Sequence, residues 1–179
     1  MNSEKWNEYL TRNTGEYGTF GEGCAERDDN HLGITFFFFK SLNIDNKDKT
    51  FLDIGCGNGE TNKTEAKWQG LDLVNETENI IKGDAHELPF NDKSFNIIFS
   101  SHALEHTLSP IICLLEMKRV LKDDGDLIIG VPLSPGFIYP GHIYVMSLQG
   151  WKNLFEQVGF KAKSALEKSN CGAFHLKKE

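Results

Sequence analysis

A glycine-rich segment carries the clearest chemical signal in this chain of 179 residues. It reads Asp53-Ile54-Gly55-Cys56-Gly57-Asn58-Gly59 and directly follows the apolar residues Phe51 and Leu52. Glycines at such a turn permit tight backbone conformations and let a ligand approach the main chain closely. A strand that ends in a glycine-rich turn is also where a doubly wound α/β sheet binds its ligand. The segment therefore predicts a ligand-binding loop.

Three kinds of ligand are alternatives for this loop. A nicotinamide dinucleotide favours a third glycine at position 60, where this chain has Glu60, and a phosphate-binding P-loop needs a Gly-Lys-Ser/Thr ending that the sequence lacks. The carboxylates of Asp53 and Glu60 would also repel a pyrophosphate. A ligand with its own ammonium group suits Asp53, and the amides after the loop favour a carboxylate. An amino acid attached to a nucleoside carries both groups.

The order of motifs along residues 51–160 resembles that of the class I S-adenosylmethionine-dependent methyltransferases. Asp53–Gly59 resembles motif I, and Asp72 matches the acidic residue that in this family holds the ribose hydroxyls. Gly83-Asp84-Ala85 is similar to the segment that borders the adenine. Phe95–His106 resembles the fourth strand and the loop beneath the methionine part, and residues 116–132 resemble the helix, turn and strand that close the core.

This resemblance implies S-adenosyl-L-methionine as the cofactor, S-adenosyl-L-homocysteine as its product, no metal, and methyl transfer to a small-molecule acceptor by in-line displacement. Two other functions stay open, namely a non-catalytic cofactor-binding module or subunit of the same fold and a nicotinamide-dependent oxidoreductase. The identity of the acceptor does not follow from these residues. The resemblance assigns cofactor binding to ten residues: Asp53, Gly55, Cys56, Gly57, Asp72, Leu73, Asp84, Ala85, Ser100 and Ser101.

Three histidines are candidates for catalysis or for contact with the acceptor. His102 comes just after the predicted fourth strand, on the edge that would face the ligand, and His106 lies four residues further on. His142 lies with Tyr139 and Tyr144 in the connection after the predicted fifth strand, where the resembled family builds its acceptor pocket. A base is needed only if the acceptor carries a proton. Each histidine also has a structural interpretation, as a local hydrogen-bonding group or an exposed loop residue.

Alternating strands and helices must position these residues. The pattern predicts an α/β fold, with a Rossmann-like, doubly wound and mostly parallel sheet, helices on both faces and an antiparallel last strand. Asp72 follows Gly59 by only 13 residues, so we expect a shortened helix after the first strand. The predicted strands are residues 50–54, 70–74, 80–82, 95–100, 127–131, 160–166 and 172–178.

Three helices are predicted from capping residues and apolar spacing. The first covers residues 34–42, and its four phenylalanines are expected to bury it against the sheet. The second begins at Ser109-Pro110 and ends at Gly125, and the third is capped by Ser147 and ends at Gly159.

The chain is interpreted as a single domain overall. Residues 1–48 are expected to form an N-terminal helix and loop that cap residues 49–179, which form the S-adenosylmethionine-binding methyltransferase domain. Within the cap, Tyr17 and Phe20 are candidates for a lid over the cofactor.

Composition narrows the classes of partner. The net charge is 19 − 26 = −7, which disfavours nucleic acid because affinity for phosphates depends largely on Lys and Arg. Apolar runs are too short to cross a bilayer, the chain opens without an apolar signal segment, and its four cysteines form no CxxC pair. The sequence therefore predicts a cytoplasmic protein with a small-molecule partner and no membrane partner, and it leaves self-association open.

Overall fold

The computed structural model describes residues 31–62, 64–133 and 142–179. Expectations for residues 1–30, including the lid candidates Tyr17 and Phe20, and for Tyr139 lie outside these residues. The predicted α/β fold is confirmed, although no helix separates the first four strands in the described residues. Along the chain the elements are α1 (His31–Ser41), β1 (Thr50–Ile54), β2 (Lys67–Asp72), β3 (Ile80–Lys82), β4 (Phe95–Ser101), a 3-10 helix (Leu104–His106), α2 (Pro110–Val120), β5 (Leu121–Pro132), α3 (Leu148–Gln157), β6 (Phe160–Lys168) and β7 (Cys171–Lys178).

The strands form one seven-stranded sheet in the order β3-β2-β1-β4-β5-β7-β6. Strands β1 to β5 pair in parallel, and β7 pairs antiparallel with both β5 and β6. The predicted mostly parallel sheet with an antiparallel last strand is therefore confirmed. The strand order reverses between β1 and β4, and ligands of α/β sheets bind beyond the carboxyl ends of the strands at such a switch point.

Helix α1 covers one face of the sheet with aromatic side chains. Phe38 and Phe39 are buried, and the Phe39 ring lies 5.7 Å from Phe51 and 6.2 Å from Phe99, centroid to centroid. Phe37 is 69% exposed, so the expectation that all four phenylalanines face the sheet is wrong for this residue. Successive helical residues are about 100° apart, so four in a row cannot share one face.

Helices α2 and α3 cover the opposite face, and both begin at the predicted serines. The Ser109 hydroxyl accepts a hydrogen bond from the Ile112 N–H at 3.4 Å. The Ser147 hydroxyl accepts one from the Gly150 N–H at 3.1 Å. Each serine satisfies a backbone donor that the first helical turn leaves without a partner.

Helix α2 ends earlier than the sequence predicted. Its C-cap is Leu121, whose extended backbone begins β5 and pairs with Phe95. The predicted end at Gly125 is therefore wrong, and Gly125 lies inside β5. A Cβ at this position would lie 2.6 Å from the Leu121 side chain and 3.0 Å from the Asn96 carbonyl oxygen. The glycine thus permits close packing of β5 and does not end the helix.

The connection between β1 and β2 differs from the expected shortened helix. Its described residues, 55–62 and 64–66, form turns and bends and no helix. The Gly59 N–H donates to the Cys56 carbonyl at 2.9 Å, and the Asn62 N–H donates to the Gly59 carbonyl at 3.0 Å. Gly59 has φ of +78°, which is outside the helical region. Glycine turns and the lack of apolar periodicity in residues 61–69 account for the missing helix.

Two further features concern the helices and the cysteines. None of the helices among the described residues is long and apolar enough to span a membrane. Cys56, Cys113 and Cys171 are free thiols, and Cys24 lies outside the described residues. The cytoplasmic location stays a prediction.

Candidate functional site

The glycine loop begins at the carboxyl end of β1, beside the switch point of the sheet. Gly55 and Gly57 have φ of +73° and +54°. A Cβ on Gly55 would lie 2.5 Å from the Cβ of Ala103, so glycine is needed where the loop packs against the chain after β4. A Cβ on Gly57 would meet no atom of the described residues within 4 Å. A ligand can therefore approach the main chain at Gly57.

Asp72, the last residue of β2, is held against this loop by three backbone amides. Its Oδ2 accepts a hydrogen bond from the Gly57 N–H at 2.9 Å. Its Oδ1 accepts from the N–H groups of Val74 and Asn75 at 2.9 and 3.0 Å. A carboxylate offers about four acceptor positions, so about one remains for a donor from a ligand. The arrangement suits a ligand hydroxyl group.

Asp53 is a buried carboxyl group beneath the same loop, with 2% of its surface exposed. Its Oδ2 accepts a hydrogen bond from the Thr61 hydroxyl, which in turn accepts one from the Trp68 indole N–H at 3.1 Å. Burial raises the pKa of Asp53 to about 7, the Thr61 hydrogen bond opposes this rise, and the Asp72 carboxylate adds to it. A cation placed beside Asp53 would favour its ionised form.

Asp84 follows β3 and has one oxygen engaged and one without a partner. Its Oδ1 accepts the His86 backbone N–H at 2.8 Å and lies 2.6 Å from His86 Nδ1. The Ser109 N–H donates to His86 Nε2 at 3.1 Å, so the ring proton belongs on Nδ1. Within the described part of the chain, the buried Oδ2 has no hydrogen-bond partner. Because most buried polar atoms are paired, this oxygen is available to a donor on a ligand.

The segment after Asp84 is fixed by the guanidinium of Arg119. This group donates to the carbonyl oxygens of Leu88 and Phe90 at 2.9 and 2.7 Å and to Glu116 at 2.7 Å. Glu116 also accepts the Leu88 N–H at 2.9 Å, and the hydrogen bond from Arg119 lowers the pKa of Glu116. The loop that borders Asp84 is therefore preorganised by charge-assisted hydrogen bonds.

Cys56 is half-buried, and its thiol is poorly suited to act as a nucleophile. Burial raises the pKa of this thiol, and the nearby carboxylates of Asp53 and Asp72 raise it further. The thiolate is the nucleophilic form of cysteine, so a raised pKa disfavours reactivity. This agrees with the interpretation of Cys56 as a small filler whose backbone borders the ligand.

The remaining predicted cofactor residues lie at the same edge of the sheet. Ser100 donates its hydroxyl to the Ile54 carbonyl at 3.1 Å, and Ser101 donates to the Thr35 hydroxyl at 2.9 Å. Both hydroxyls thus help to hold the end of β4 within the fold. Leu73 and Ala85 are partly buried next to Asp72 and Asp84 in the chain.

His102 and Glu105 form a pair just after β4, in which Glu105 is fully buried and His102 is partly buried. His102 has φ of +53°; its Nδ1 lies 3.0 Å from Glu105 Oε1 and its Nε2 lies 3.4 Å from Cys171 Sγ. Burial opposes the charged imidazole, but the Glu105 carboxylate and the contact with Cys171 together outweigh it and raise the pKa of His102 to about 10. Burial likewise opposes ionisation of Glu105, and its contact with His102 nevertheless lowers the pKa of Glu105. The two groups form an ion pair.

His106 and His142 bring two more rings to Glu105. Their ring centroids lie 4.9 Å apart in an edge-on arrangement. The N–H groups of Ile143 and Tyr144 donate to the Glu105 carbonyl oxygen at 2.7 and 3.2 Å, which anchors the segment carrying His142 to the 3-10 helix. One ligand-type atom each from Glu105, His106 and His142 lies within 4.8 Å of the other two.

The structure thus brings the predicted residues together in two groups along one edge of the sheet. The three acidic residues and the glycine loop lie at the carboxyl ends of β1, β2 and β3. The three histidines gather around Glu105, which lies just after β4. Sequence analysis did not identify Glu105 or Thr61 as members of the site. Glu105 is flanked by His102 and His106, but its complete burial depends on the fold. The roles of these residues stay predictions.

Part of the chain matches a known protein family. A family model described as a methyltransferase domain matches residues 52–129, from β1 into β5, and the matched stretch contains Asp72, Asp84 and Glu105. Residues 52–129 are therefore similar to a methyltransferase domain. This similarity agrees with the resemblance inferred from the sequence motifs.

Named relatives of this methyltransferase domain act on different molecules. The chain is 32% identical over 114 residues to a tRNA U34 carboxymethyltransferase of Nautilia profundicola, covering 53% of this chain and 37% of the relative. It is 39% identical over 72 residues to a demethylmenaquinone methyltransferase of Thermotoga maritima, covering 40% and 31%. The family match therefore leaves the acceptor open.

A solved structure supports the fold over almost the whole chain. The 1,6-didemethyltoxoflavin-N1-methyltransferase of Burkholderia thailandensis, solved with its substrate and S-adenosylhomocysteine, matches with a TM-score of 0.79 at 15% identity, over 99% of this chain and 91% of that one. The first three curated relatives are matched over only 52%, 34% and 38% of their own lengths. The match at this low identity concerns the fold alone.

Proposed function

We propose that this methyltransferase domain binds S-adenosyl-L-methionine and transfers its methyl group to a small-molecule acceptor. The observation that carries the proposal is Asp84, whose buried Oδ2 has no hydrogen-bond partner in the described part of the chain. An exocyclic amine of adenine would donate to this oxygen. Asp72 ends the neighbouring strand β2 and is held by the Gly57 amide. Its carboxylate has about one acceptor position left for a ribose hydroxyl. Together the two carboxylates suit an adenosine.

The amino-acid end of the cofactor suits the glycine loop. The Asp53 carboxylate would accept hydrogen bonds from the ammonium group, and the open surface at Gly57 lets the ligand approach the main chain. Since both positions are fixed by β1 and its turn, these residues would orient the cofactor relative to β4. When bound, S-adenosylmethionine supplies a methyl group attached to a sulfonium. The sulfur is the leaving group and needs no further activation.

The protein's part in the transfer is to hold an acceptor in line with the methyl group and to exclude water. The acceptor would lie at the edge of the sheet next to the carboxyl end of β4. Three histidines border this place, namely His102, His106 and His142. Both ring nitrogens of His102 contact Glu105 or Cys171, which favours a positioning role for this histidine. His106 and His142 are the better candidates for contact with an acceptor.

A small acceptor is supported by the net charge of the chain. Nucleic-acid binding depends on clustered cations, and the net charge here is −7. A dissolved small molecule or a substrate presented by a partner subunit fits this surface better than a polynucleotide.

A second candidate function is cofactor binding without catalysis. The connection between β1 and β2 has no helix in its described residues, so less of the protein supports the glycine loop than in a complete βαβ unit. A module that senses or presents the cofactor would tolerate this weaker support of the glycine loop. The family match favours both of these functions over the nicotinamide-dependent oxidoreductase.

Thermal unfolding with S-adenosylmethionine, S-adenosylhomocysteine and NAD side by side tests cofactor choice. A ligand at 100 times its dissociation constant stabilises by about 2.7 kcal/mol, which raises the melting temperature by a few degrees at this size. We expect a rise with the two adenosyl ligands and none with NAD. A rise with NAD alone, or with none of the three, contradicts the proposal.

Turnover separates the enzyme from the binding module. Formation of S-adenosylhomocysteine from S-adenosylmethionine is measured with a panel of phenols, carboxylates, thiols and amines. Product that depends on one acceptor class supports methyl transfer and names the acceptor chemistry. Tight cofactor binding with no turnover across the panel supports the module.

A further inference from the structure

We propose that Glu105, His106 and His142 bind a divalent transition-metal ion such as zinc. The three side chains come from the 3-10 helix after β4 and from the segment that precedes α3. Each offers a nitrogen or oxygen that lies within 4.8 Å of the other two. Ligands about 2.0–2.2 Å from one tetrahedral zinc ion lie about 3.4 Å apart, a spacing that side-chain rotation can reach here.

The carboxylate of Glu105 gives independent support for a ligand at this place. Glu105 is fully buried, and its Oε1 contacts His102. Its Oε2 is also buried, and no residue in the described ranges hydrogen-bonds to it. A buried carboxylate oxygen without a hydrogen-bond donor is costly, and a cation at this position would remove that cost.

His102 would act as the positioning residue of the site. Metal ligands are commonly oriented by a second group that hydrogen-bonds their other atom. The contact of His102 Nδ1 with Glu105 Oε1 does this for the carboxylate and directs Oε2 away from His102. The Nε2 of His102 contacts Cys171 Sγ at 3.4 Å, so His102 is not placed among the ligands.

The backbone holds the two histidines in range of each other without the ion. The Ile143 N–H donates to the Glu105 carbonyl at 2.7 Å, and the Tyr144 hydroxyl donates to the Leu108 carbonyl at 3.0 Å. These bonds fix the segment that follows the long connection onto the turn that carries His106. The site is thus largely preformed by the fold.

The donor set selects the kind of metal and its use. Two imidazoles and one carboxylate suit zinc or another first-row metal better than magnesium or calcium, which prefer oxygen ligands. Three protein ligands leave a coordination position open for water or for an acceptor heteroatom. Use of that position in methyl transfer rests on the proposed function, whereas metal binding itself does not. The sequence-based expectation of no metal would then be wrong.

Zinc binding to the full chain tests the proposal. Protein purified without a histidine tag is stripped with EDTA, and its zinc affinity is measured by competition with a chromophoric chelator. We expect one zinc per chain, and at least about 100-fold weaker binding for Glu105→Gln, His106→Asn and His142→Asn. His175→Asn is the matched control, because His175 also contacts a carboxylate, Asp126, but there the Lys177 ammonium shares the same oxygen at 2.7 Å.

Several results would overturn the inference. They are no zinc bound by the unaltered chain, unchanged affinity after His142→Asn, and equal loss of zinc from His175→Asn. Cobalt-loaded protein gives a second readout that does not depend on how well the variants fold. We expect the visible bands of a nitrogen and oxygen site. An intense thiolate charge-transfer band would place a cysteine among the ligands and refute the ligand set.

Discussion

The raised pKa of Asp53 predicts that the affinity for the proposed cofactor depends on pH. Burial, partly opposed by Thr61, raises the pKa of this carboxyl group to about 7, so it is largely neutral at pH 6 and largely ionised at pH 8. If the ammonium group of the cofactor requires the ionised form, binding must first remove a proton below pH 7. The ionised fraction rises from about 0.09 to about 0.9 between pH 6 and pH 8 for a pKa of 7. Affinity for S-adenosylhomocysteine is therefore expected to rise about tenfold, or about 1.4 kcal/mol.

Isothermal titration calorimetry measures both the affinity and the proton. We expect release of nearly one proton per ligand at pH 6 and almost none at pH 8, found by comparing buffers of different ionisation enthalpy. The control ligand is 5′-methylthioadenosine, which lacks the ammonium and carboxylate groups. Its affinity is expected to stay the same at the two pH values. An equal pH dependence for both ligands would refute the role given to Asp53.

Replacement of Asp53 separates binding from stability, because the two are expected to move in opposite directions. In the folded chain the pKa of Asp53 is above its ordinary value of 3.8, so the folded state holds the proton more tightly than the unfolded state does. Its contribution to stability is present below pH 4 and is lost as the pH rises through 7, a loss on the order of 4 kcal/mol. Asp53→Asn should therefore unfold at a higher temperature at pH 8 and yet bind S-adenosylhomocysteine more weakly. Asp45→Asn, at an exposed aspartate, is the control and should change neither.

Three further predictions concern the support of the site and the core. Asp72→Asn should weaken adenosine binding by at least about tenfold in equilibrium dialysis, because the new amide would oppose the Gly57 N–H, and unchanged affinity would remove this carboxylate from the site. Arg119→Ala should destabilise the fold by about 1.5–3 kcal/mol in urea unfolding, whereas Lys93→Ala, which breaks an exposed ion pair, should leave the unfolding midpoint nearly unchanged. Phe39→Ala should cost about 3–5 kcal/mol and Phe37→Ala about 0.5 or less, and similar losses would contradict the orientation of α1.

Local sequence signals predicted the elements that depend on local chemistry. Ser109 and Ser147 cap their helices as expected, because a serine before an apolar helical run satisfies backbone donors nearby. The end of α2 could not be predicted in this way. Gly125 looked like a helix stop, but pairing of Leu121 with Phe95 across the sheet extends β5 backwards and ends the helix earlier. Such long-range pairing is not visible in the neighbouring residues.

In the candidate site, too, local sequence signals predicted some residues and long-range contacts determined others. Asp53, Asp72 and the glycines were found because they lie at strand ends in a recognisable order. Glu105 was missed, since a glutamate beside histidines gives no sign that it will be fully buried. Its burial arises when the turn after β4 is covered by the segment that carries His142, and these parts are far apart in the chain.

The electrostatics of this edge explain why a cationic cofactor suits it better than a dinucleotide. Asp53 and Asp72 lie close enough that the carboxylate of Asp72 helps to raise the pKa of Asp53. The pair also raises the pKa of the Cys56 thiol between them in the chain, so the loop disfavours any additional negative charge. A pyrophosphate would increase this repulsion, whereas an ammonium and a sulfonium would relieve it. We therefore expect the glycine loop to discriminate by charge as well as by shape. Replacing Asp53 by Asn should reduce the ratio of affinities for adenosyl ligands and for NAD.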